Sequence, residues 1–337
     1  MAVKLLIAAA IIAVAVVLIS YICFRIVFYA PRKEQPDPDV LPVPEGAEYE
    51  PYHDIMKKWI MQTRAMHHQD FYIKSFDGLT LHAKYFEVDK NAVTEIMFHG
   101  YRGSAERDLS GGVQRCFALG RNVLLVDQRT SGKSEGNVIS FGINEHRDCI
   151  AWVDFACRHF GKDAQFVLTG ISMGAATVLM AAGKPLPPNV KGVLCDCGFS
   201  SAKEIIKKCS RDMKLPADLV YPFIKLGAKL FGHFDVDEYS PAQAARSCTL
   251  PVIFFHGESD NFVPCHMSRK LFDICNCPKR LVTIKGADHG LCYVVDNKTY
   301  FDNVTEFFTQ NGVPTNLLHD VMKIKPKPLF FQAMSLS

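Results

Sequence analysis

The chain has 337 residues, of which 48% are hydrophobic, 22% charged and 11% aromatic. That balance is too apolar for a disordered chain and too charged for a multispan membrane protein. A formal charge of only +3, from 38 Lys and Arg against 35 Asp and Glu, removes the electrostatic case for a nucleic-acid partner, and twelve cysteines are too sparse for a disulfide scaffold.

The first element is a run from Leu5 to Phe24 that carries no charge and one weakly polar serine, Ser20. At about 1.5 Å per residue such a helix covers roughly 30 Å, the hydrocarbon thickness of a bilayer. A cleaved signal would have a shorter apolar core ending in small residues, whereas this run ends in Ile22-Cys23-Phe24-Arg25. Residues 1–30 therefore read as an uncleaved single-pass membrane anchor. Lys4 and the amino terminus on one side balance Arg25, Arg32 and Lys33 on the other, so the positive-inside rule leaves the orientation open. Residues 31–51 hold prolines at 31, 36, 38, 42, 44 and 51 and read as an extended tether.

From residue 52 to 312 a single α/β domain is expected. Phe71–Phe76, Asp77-Gly78 and Leu79–Val88 spell an antiparallel hairpin, because Asp-Gly is a strong tight-turn signal. Short β-rich runs follow at Glu95–His99, Asn122–Asp127, Gln165–Thr169, Val190–Cys195, Val252–His256 and Arg280–Ile284, separated by helical stretches such as Ile143–Phe160 and Pro264–Cys275. Strands alternating with helices give a mostly parallel sheet, whose functional groups gather at the carboxyl ends of the strands. Residues 201–239 are helical and too long for one crossover. They form either a small lid with Leu219, Tyr221, Phe223, Ile224, Leu226, Leu230 and Phe231 as its apolar face, or an ordinary packed helix pair. Residues 313–337, with Phe330 and Phe331, are a tail of no evident role.

Three strand ends carry the chemistry. Gln165–Thr169 runs into Gly170-Ile171-Ser172-Met173-Gly174 and then an apolar helix, which places Ser172 at a sharp strand-to-helix turn flanked by glycines. A serine hydroxyl becomes a useful nucleophile only when a histidine takes its proton and an acid orients that histidine. Asp260 follows the strand Val252–His256, and His289 follows the strand Arg280–Ile284, which completes the order serine, acid, histidine. Asp196, at the end of another strand, competes for the acid role, while Asp288 adjoins the histidine and points away from its ring. His99 and His256 are better read as loop-bracing residues. Two backbone amides must hold a developing oxyanion, and losing one such donor costs roughly 3–4 kcal/mol of barrier. Met173, directly after the serine, and Tyr101, in the loop His99-Gly100-Tyr101, are the expected donors.

Taken together, His99-Gly100-Tyr101, Val126–Arg129 with Gly132–Gly136, Gly170–Gly174, Asp196–Gly198, His256–Pro264 and His289-Gly290 resemble an α/β-hydrolase. The resemblance is to the membrane-anchored bacterial hydrolases of the serine aminopeptidase-like and lysophospholipase-like group. It implies an eight-stranded, mostly parallel sheet flanked by helices, a serine triad, and neither metal nor organic cofactor. One departure is Thr130-Ser131-Gly132, where such enzymes often carry a histidine before the glycine; that loop braces the oxyanion strand. The Cys195/Cys197 and Cys275/Cys277 pairs have one intervening residue, whereas zinc sites usually have two to four, and abundant thiols suit a reducing compartment. The expected activity is hydrolysis of a small-molecule carboxylic ester with an acyl or apolar group. The rivals are a peptidase on short peptides, its substrate amine held by Asp212, Asp218, Asp235, Asp237 or Glu238, and a non-catalytic interaction scaffold.

Overall fold

A computed structural model describes residues 1–31 and 39–315; the remainder of the tether (32–38) and of the tail, with Phe330 and Phe331, lies outside the described residues. In chain order the elements are α1 (Ala2–Val27), α2 (His53–Arg64), β1 (Gln69–Lys74), β2 (Thr80–Phe86), β3 (Thr94–Phe98), α3 (Ala105–Ala118), β4 (Asn122–Asp127), α4 (Glu145–Phe160) and β5 (Phe166–Ile171). They continue with α5 (Met173–Ala182), β6 (Val190–Asp196), α6 (Ala202–Asp212), α7 (Ala217–Phe231), α8 (Pro241–Ser247), β7 (Val252–Gly257), α9 (His266–Ile274), β8 (Lys279–Ile284), α10 (Cys292–Val295) and α11 (Asn297–Gln310).

The strands make one eight-stranded sheet in the order β1-β2-β4-β3-β5-β6-β7-β8. β2 runs antiparallel to both β1 and β4, and every other pairing is parallel. The sheet is buried on both faces, so successive residues of one strand serve different cores. Ile96, Phe98, Leu168, Val193 and Phe254 pack with α4, α5 and α9, whereas Val167, Leu194, Ile253 and Phe255 pack with α10 and α11. This explains why the central strands read as continuous apolar runs. The Asp-Gly turn closes the β1/β2 hairpin, with Lys74 opposite Thr80 and Gly78 at φ +86°. Helix starts are fixed by side-chain caps: Ser104, Ser201, Ser240 and Asp296 each accept a hydrogen bond from the backbone three residues ahead.

Helix α1 is the one helix among the described residues long and apolar enough to cross a membrane. Its first part is exposed, but Ser20, Phe24 and Phe28 are buried against the domain. Gly227 of α7 lies under Ser20, where any Cβ would meet the Ser20 carbonyl at 2.3 Å. The Phe231 ring packs on Tyr21 and Phe24, with centroids 5.1 and 5.9 Å away. On α7, Tyr221 and Ile224 are buried as expected, but Leu219 and Leu230 are 66% and 43% exposed. The helix carries two apolar stripes, and only the one through Ala217, Tyr221, Ile224 and Ala228 faces the core. The proline-rich segment touches the domain on its described side: the Arg64 guanidinium donates to the Val40 carbonyl at 2.9 Å, and His53 Nε2 lies 2.9 Å from the Pro44 carbonyl. Helix α2 packs against α3.

Candidate active site

The parallel strands β3, β5, β6, β7 and β8 end on the same edge of the sheet, which brings Gly100, Ser172, Asp196, Asp260 and His289 to one place. Ser172 occupies φ +55°, ψ −118°, a backbone conformation that costs a non-glycine residue of order 1–3 kcal/mol and holds its side chain out at the strand-to-helix turn. Its neighbours cannot carry side chains. A Cβ on Gly170 would meet the Gly174 carbonyl at 2.1 Å, and one on Gly174 would meet the Phe98 carbonyl at 2.0 Å. The glycine spacing is thus demanded by the crossing of β5, α5 and the end of β3.

His289 Nε2 lies 2.9 Å from Ser172 Oγ, and its Nδ1 lies 2.8 Å from Asp260 Oδ2. An ionised carboxylate only accepts, so Nδ1 carries the proton and Nε2 is free to accept the serine hydroxyl. Asp260 is 6% exposed. Burial alone pushes its carboxyl up, but hydrogen bonds from His256 and His289 outweigh that and hold it at about 2. Its other oxygen accepts the Phe262 and Val263 amides at 3.0 and 2.7 Å, which locks the carboxylate plane. The Phe262 ring lies edge-on to His289, centroids 5.0 Å apart.

The amides of Met173 and Tyr101 have no hydrogen-bond acceptor among the described residues, and Met173 begins α5. Both therefore remain available, with the positive end of the α5 dipole behind one of them. A Cβ at Gly100 would sit 3.4 Å from the Ser172 Cβ, which measures how closely the His99-Gly100-Tyr101 loop approaches the serine. The Gly100 amide is already used, donating to Asp108 Oδ2 at 2.9 Å. The Thr130-Ser131-Gly132 departure is accommodated: Ser131 donates to the Gly103 carbonyl at 3.1 Å, and Gln128 Nε2 donates to the His99 carbonyl at 2.5 Å. His99 accepts the Gln128 amide at 3.1 Å through Nε2, while its Nδ1 lies 2.9 Å from the Gly100 carbonyl. His256 bridges Ser268 and the Val263 carbonyl, each at 2.7 Å. Both rings brace loops.

Of the rival acids, Asp288 turns back to accept the His289 amide at 2.7 Å. Asp196 lines a cavity of about 80 Å³ with Thr169 and Tyr300, and its Oδ1 has no hydrogen-bond partner among the described residues. Burial pushes its carboxyl up to about 6 from an ordinary 3.8, against hydrogen bonding from Tyr300. The folded state therefore favours the neutral acid, and its ionisation above pH 6 opposes folding. Asp196→Asn is expected to raise stability at pH 8 by up to ~3 kcal/mol, with the gain shrinking towards zero as pH falls to 4. Thermal melts of both proteins at pH 8, 6 and 4 check this; a gap that does not change with pH refutes it.

Cys197, Asp260 and His289 place ligand atoms within 4.8 Å of one another, the one such group among the described residues. Both nitrogens of His289 are committed to Ser172 and Asp260, and burial keeps the Cys197 thiol far above its ordinary range, so these donors suit a proton relay better than a metal. All twelve cysteines are free thiols.

Sequence reasoning missed Tyr49, whose hydroxyl donates to the His289 carbonyl at 3.0 Å across 240 residues of chain. It also missed Asp108, for which no signal existed beyond its place in the first turn of α3.

The sheet order, the strand-end serine turn and the helical layers are those of the α/β-hydrolase fold. The family model for the alpha/beta hydrolase fold matches residues 96–220, from β3 into α7. Among relatives, the uncharacterized protein YqkD of Bacillus subtilis is 25% identical over 305 residues, spanning 90% of this chain and 96% of its own. Among solved structures, the esterase Pf2001 of Pyrococcus furiosus superposes with a TM-score of 0.61 at 21% identity, covering 74% of this chain and 93% of that one. Est1E of Butyrivibrio proteoclasticus, solved with ferulic acid bound, gives a TM-score of 0.55 at 20% identity, covering 72% and 100%.

Proposed function

We propose that this chain is a membrane-tethered serine hydrolase that cleaves a carboxylic ester. The observation that carries the reading is the unbroken relay from Ser172 through His289 to Asp260, with both distances under 3 Å. In this reading Ser172 Oγ attacks the carbonyl carbon as its proton passes to His289 Nε2, and Asp260 stabilises the imidazolium. The Met173 and Tyr101 amides hold the oxyanion. His289 then protonates the leaving alcohol, and water repeats the sequence on the acyl-enzyme.

An ester is favoured over a peptide by the fate of the five carboxylates that might hold a substrate amine. Asp212 pairs with Lys208, Asp218 with Lys207, Asp235 and Asp237 with Lys225, and Glu238 with Arg147. Two of the solved relatives in fold, Pf2001 and an esterase domain from Rhodothermus marinus, are esterases by name. The membrane assignment is supported by the seating of α1: cleavage after residue 30 would strip the buried rings of Phe24 and Phe28 from the domain.

The test uses the full chain in detergent micelles or nanodiscs. A fluorophosphonate is expected to label the protein and not Ser172→Ala, and p-nitrophenyl esters are expected to turn over faster than aminoacyl anilides. An unlabelled parent would sink the hydrolase reading; equal turnover of both substrate classes would sink the ester preference.

A further inference from the structure

The last turn of a helix exposes backbone carbonyls with no partners inside the helix. In α1 those partners come from the oxyanion loop. The Tyr101 hydroxyl donates to the Val27 carbonyl at 2.7 Å, and the Arg102 guanidinium donates to the carbonyls of Ile26 and Tyr29 at 2.8 and 3.1 Å. The guanidinium also lies at the negative end of the helix dipole. Arg102 is held at φ +52°, so the loop that presents the Tyr101 amide is not in a relaxed conformation of its own.

The same helix end is stitched to a second loop beside the site. The Ile139 amide donates to the Phe28 carbonyl at 2.8 Å, and the Ala30 amide donates to the Asn137 carbonyl at 2.9 Å. Phe28, fully buried, stands edge-on to Phe141 and Phe234, with centroids 5.8 and 5.2 Å away. Phe141 in turn packs against the Tyr101 ring at 5.0 Å. Tyr101 is thus fixed at three points: its hydroxyl by α1, its ring by a residue that α1 buries, and the next residue by the α1 terminus. Its amide is the only part left for the oxyanion.

We propose that the carboxyl end of α1 is a working part of the active site, in which Val27 and its neighbours, through the positioning residues Tyr101 and Arg102, hold the oxyanion loop in its reactive geometry. The anchor then does more than localise the domain: an unseated α1 leaves the nucleophile relay intact and the oxyanion donor misplaced. This inference rests on the serine-hydrolase reading, and the experiment separates the two.

Full-length Tyr101→Phe and Arg102→Gln are compared with the parent in nanodiscs, using p-nitrophenyl butyrate. Tyr101→Phe keeps the ring and the amide and removes the hydroxyl, with its bond to Val27 and its interaction with Arg102. Full removal of an oxyanion donor costs about 10²–10³ in kcat, so a loosened one is expected to cost about tenfold, with KM changed less than about twofold. The Ki of an alkyl trifluoromethyl ketone, whose serine adduct carries the oxyanion, is expected to rise by the same factor as kcat/KM falls. A merely destabilised protein would show fewer active sites by fluorophosphonate titration, with unchanged kcat per site. Val14→Leu, in the exposed part of α1, serves as the control and is expected to match the parent. If the parent is not labelled at Ser172, the serine-hydrolase reading falls and takes this inference with it. If the parent is labelled while Tyr101→Phe and Arg102→Gln keep the parental kcat per site and inhibitor affinity, the inference alone is overturned and α1 is only a tether.

Discussion

Asp260→Asn is expected to lower kcat for an ester by about 10⁴, while Asp196→Asn stays within about fivefold of the parent. The reason lies in what an amide does in the place of the Asp260 carboxylate. One carboxylate oxygen accepts the Phe262 and Val263 amides at 3.0 and 2.7 Å, so the asparagine must keep its carbonyl there. That turns its NH2 towards His289 Nδ1 and His256 Nε2, which lie 2.8 and 3.3 Å from the other oxygen. An NH2 only donates, so His289 Nδ1 becomes the acceptor and the ring proton moves to Nε2, facing Ser172. The base then has no lone pair for the hydroxyl proton, although every heavy atom stays near its position. Asp196 has no such lever. Its backbone carbonyl accepts the Ser172 amide at 2.8 Å, but its carboxyl faces Tyr300 and the small cavity. Steady-state kinetics across pH 6–9 decide the point, because Asp260, held at about 2, does not titrate there. If Asp260→Asn keeps activity within about tenfold of the parent while Asp196→Asn loses more, the acid lies on β6.

The eight strands and the strand-end positions of Ser172, Asp260 and His289 were legible because each strand of a doubly covered sheet leaves a local mark: a short apolar run ending in glycine and polar residues. Predicted and observed strand ends agree within about two residues in every strand, the hairpin included. Ser172 was marked further by its two glycines, whose necessity is steric and local. The rest was not legible because it depends on contacts without any local period. Tyr101 meets Val27 across 74 residues, and Tyr49 meets His289 across 240. The exposed Leu219 and Leu230 show a related failure. A helix with two apolar stripes does not say which one the core will take, and α1 beside α7 leaves the second stripe half covered. One signal was present and unused. Glu95 is the lone charge in a fully buried strand, and a charge there demands a partner.

That partner set leads to the largest expected effect on stability. Glu95 is fully buried; its Oε2 lies 2.6 Å from Arg115, its Oε1 lies 2.7 Å from Arg121, and Thr169 donates to it at 2.7 Å. Burial pushes the Glu95 carboxyl up, yet the two guanidiniums hold it well below the usual carboxylate range. Glu95→Ala removes the shared anion and leaves two arginines, each 1–2% exposed, facing each other without compensation. Arg121 has little to fall back on: among the described residues two of its nitrogens have no hydrogen-bond partner, and its guanidinium lies 5.0 Å from the Phe308 ring. Breaking one buried pair costs about 3–5 kcal/mol, and here one deletion breaks two, so the loss is at the upper end of that range or beyond it. That is a large share of the roughly 5–15 kcal/mol that holds a domain folded. The pH dependence has a definite sign. A depressed folded value means the contribution is complete above the unfolded value of 4.5 and is lost as pH falls through the folded one, so Glu95→Ala should lie far below the parent at pH 7 and approach it in strong acid. Urea unfolding at pH 7 and pH 3.5 tests the sign: the gap between the two proteins is expected to be smaller at pH 3.5, though not yet closed. The triple replacement Glu95→Leu, Arg115→Met and Arg121→Leu removes charge and partner together and is expected to recover most of the stability that the single change loses, because the single change costs an uncompensated charge and not the pair itself. A single variant within about 1 kcal/mol of the parent at pH 7, or a triple no better than the single, would show that the guanidiniums find water or another anion when Glu95 is gone.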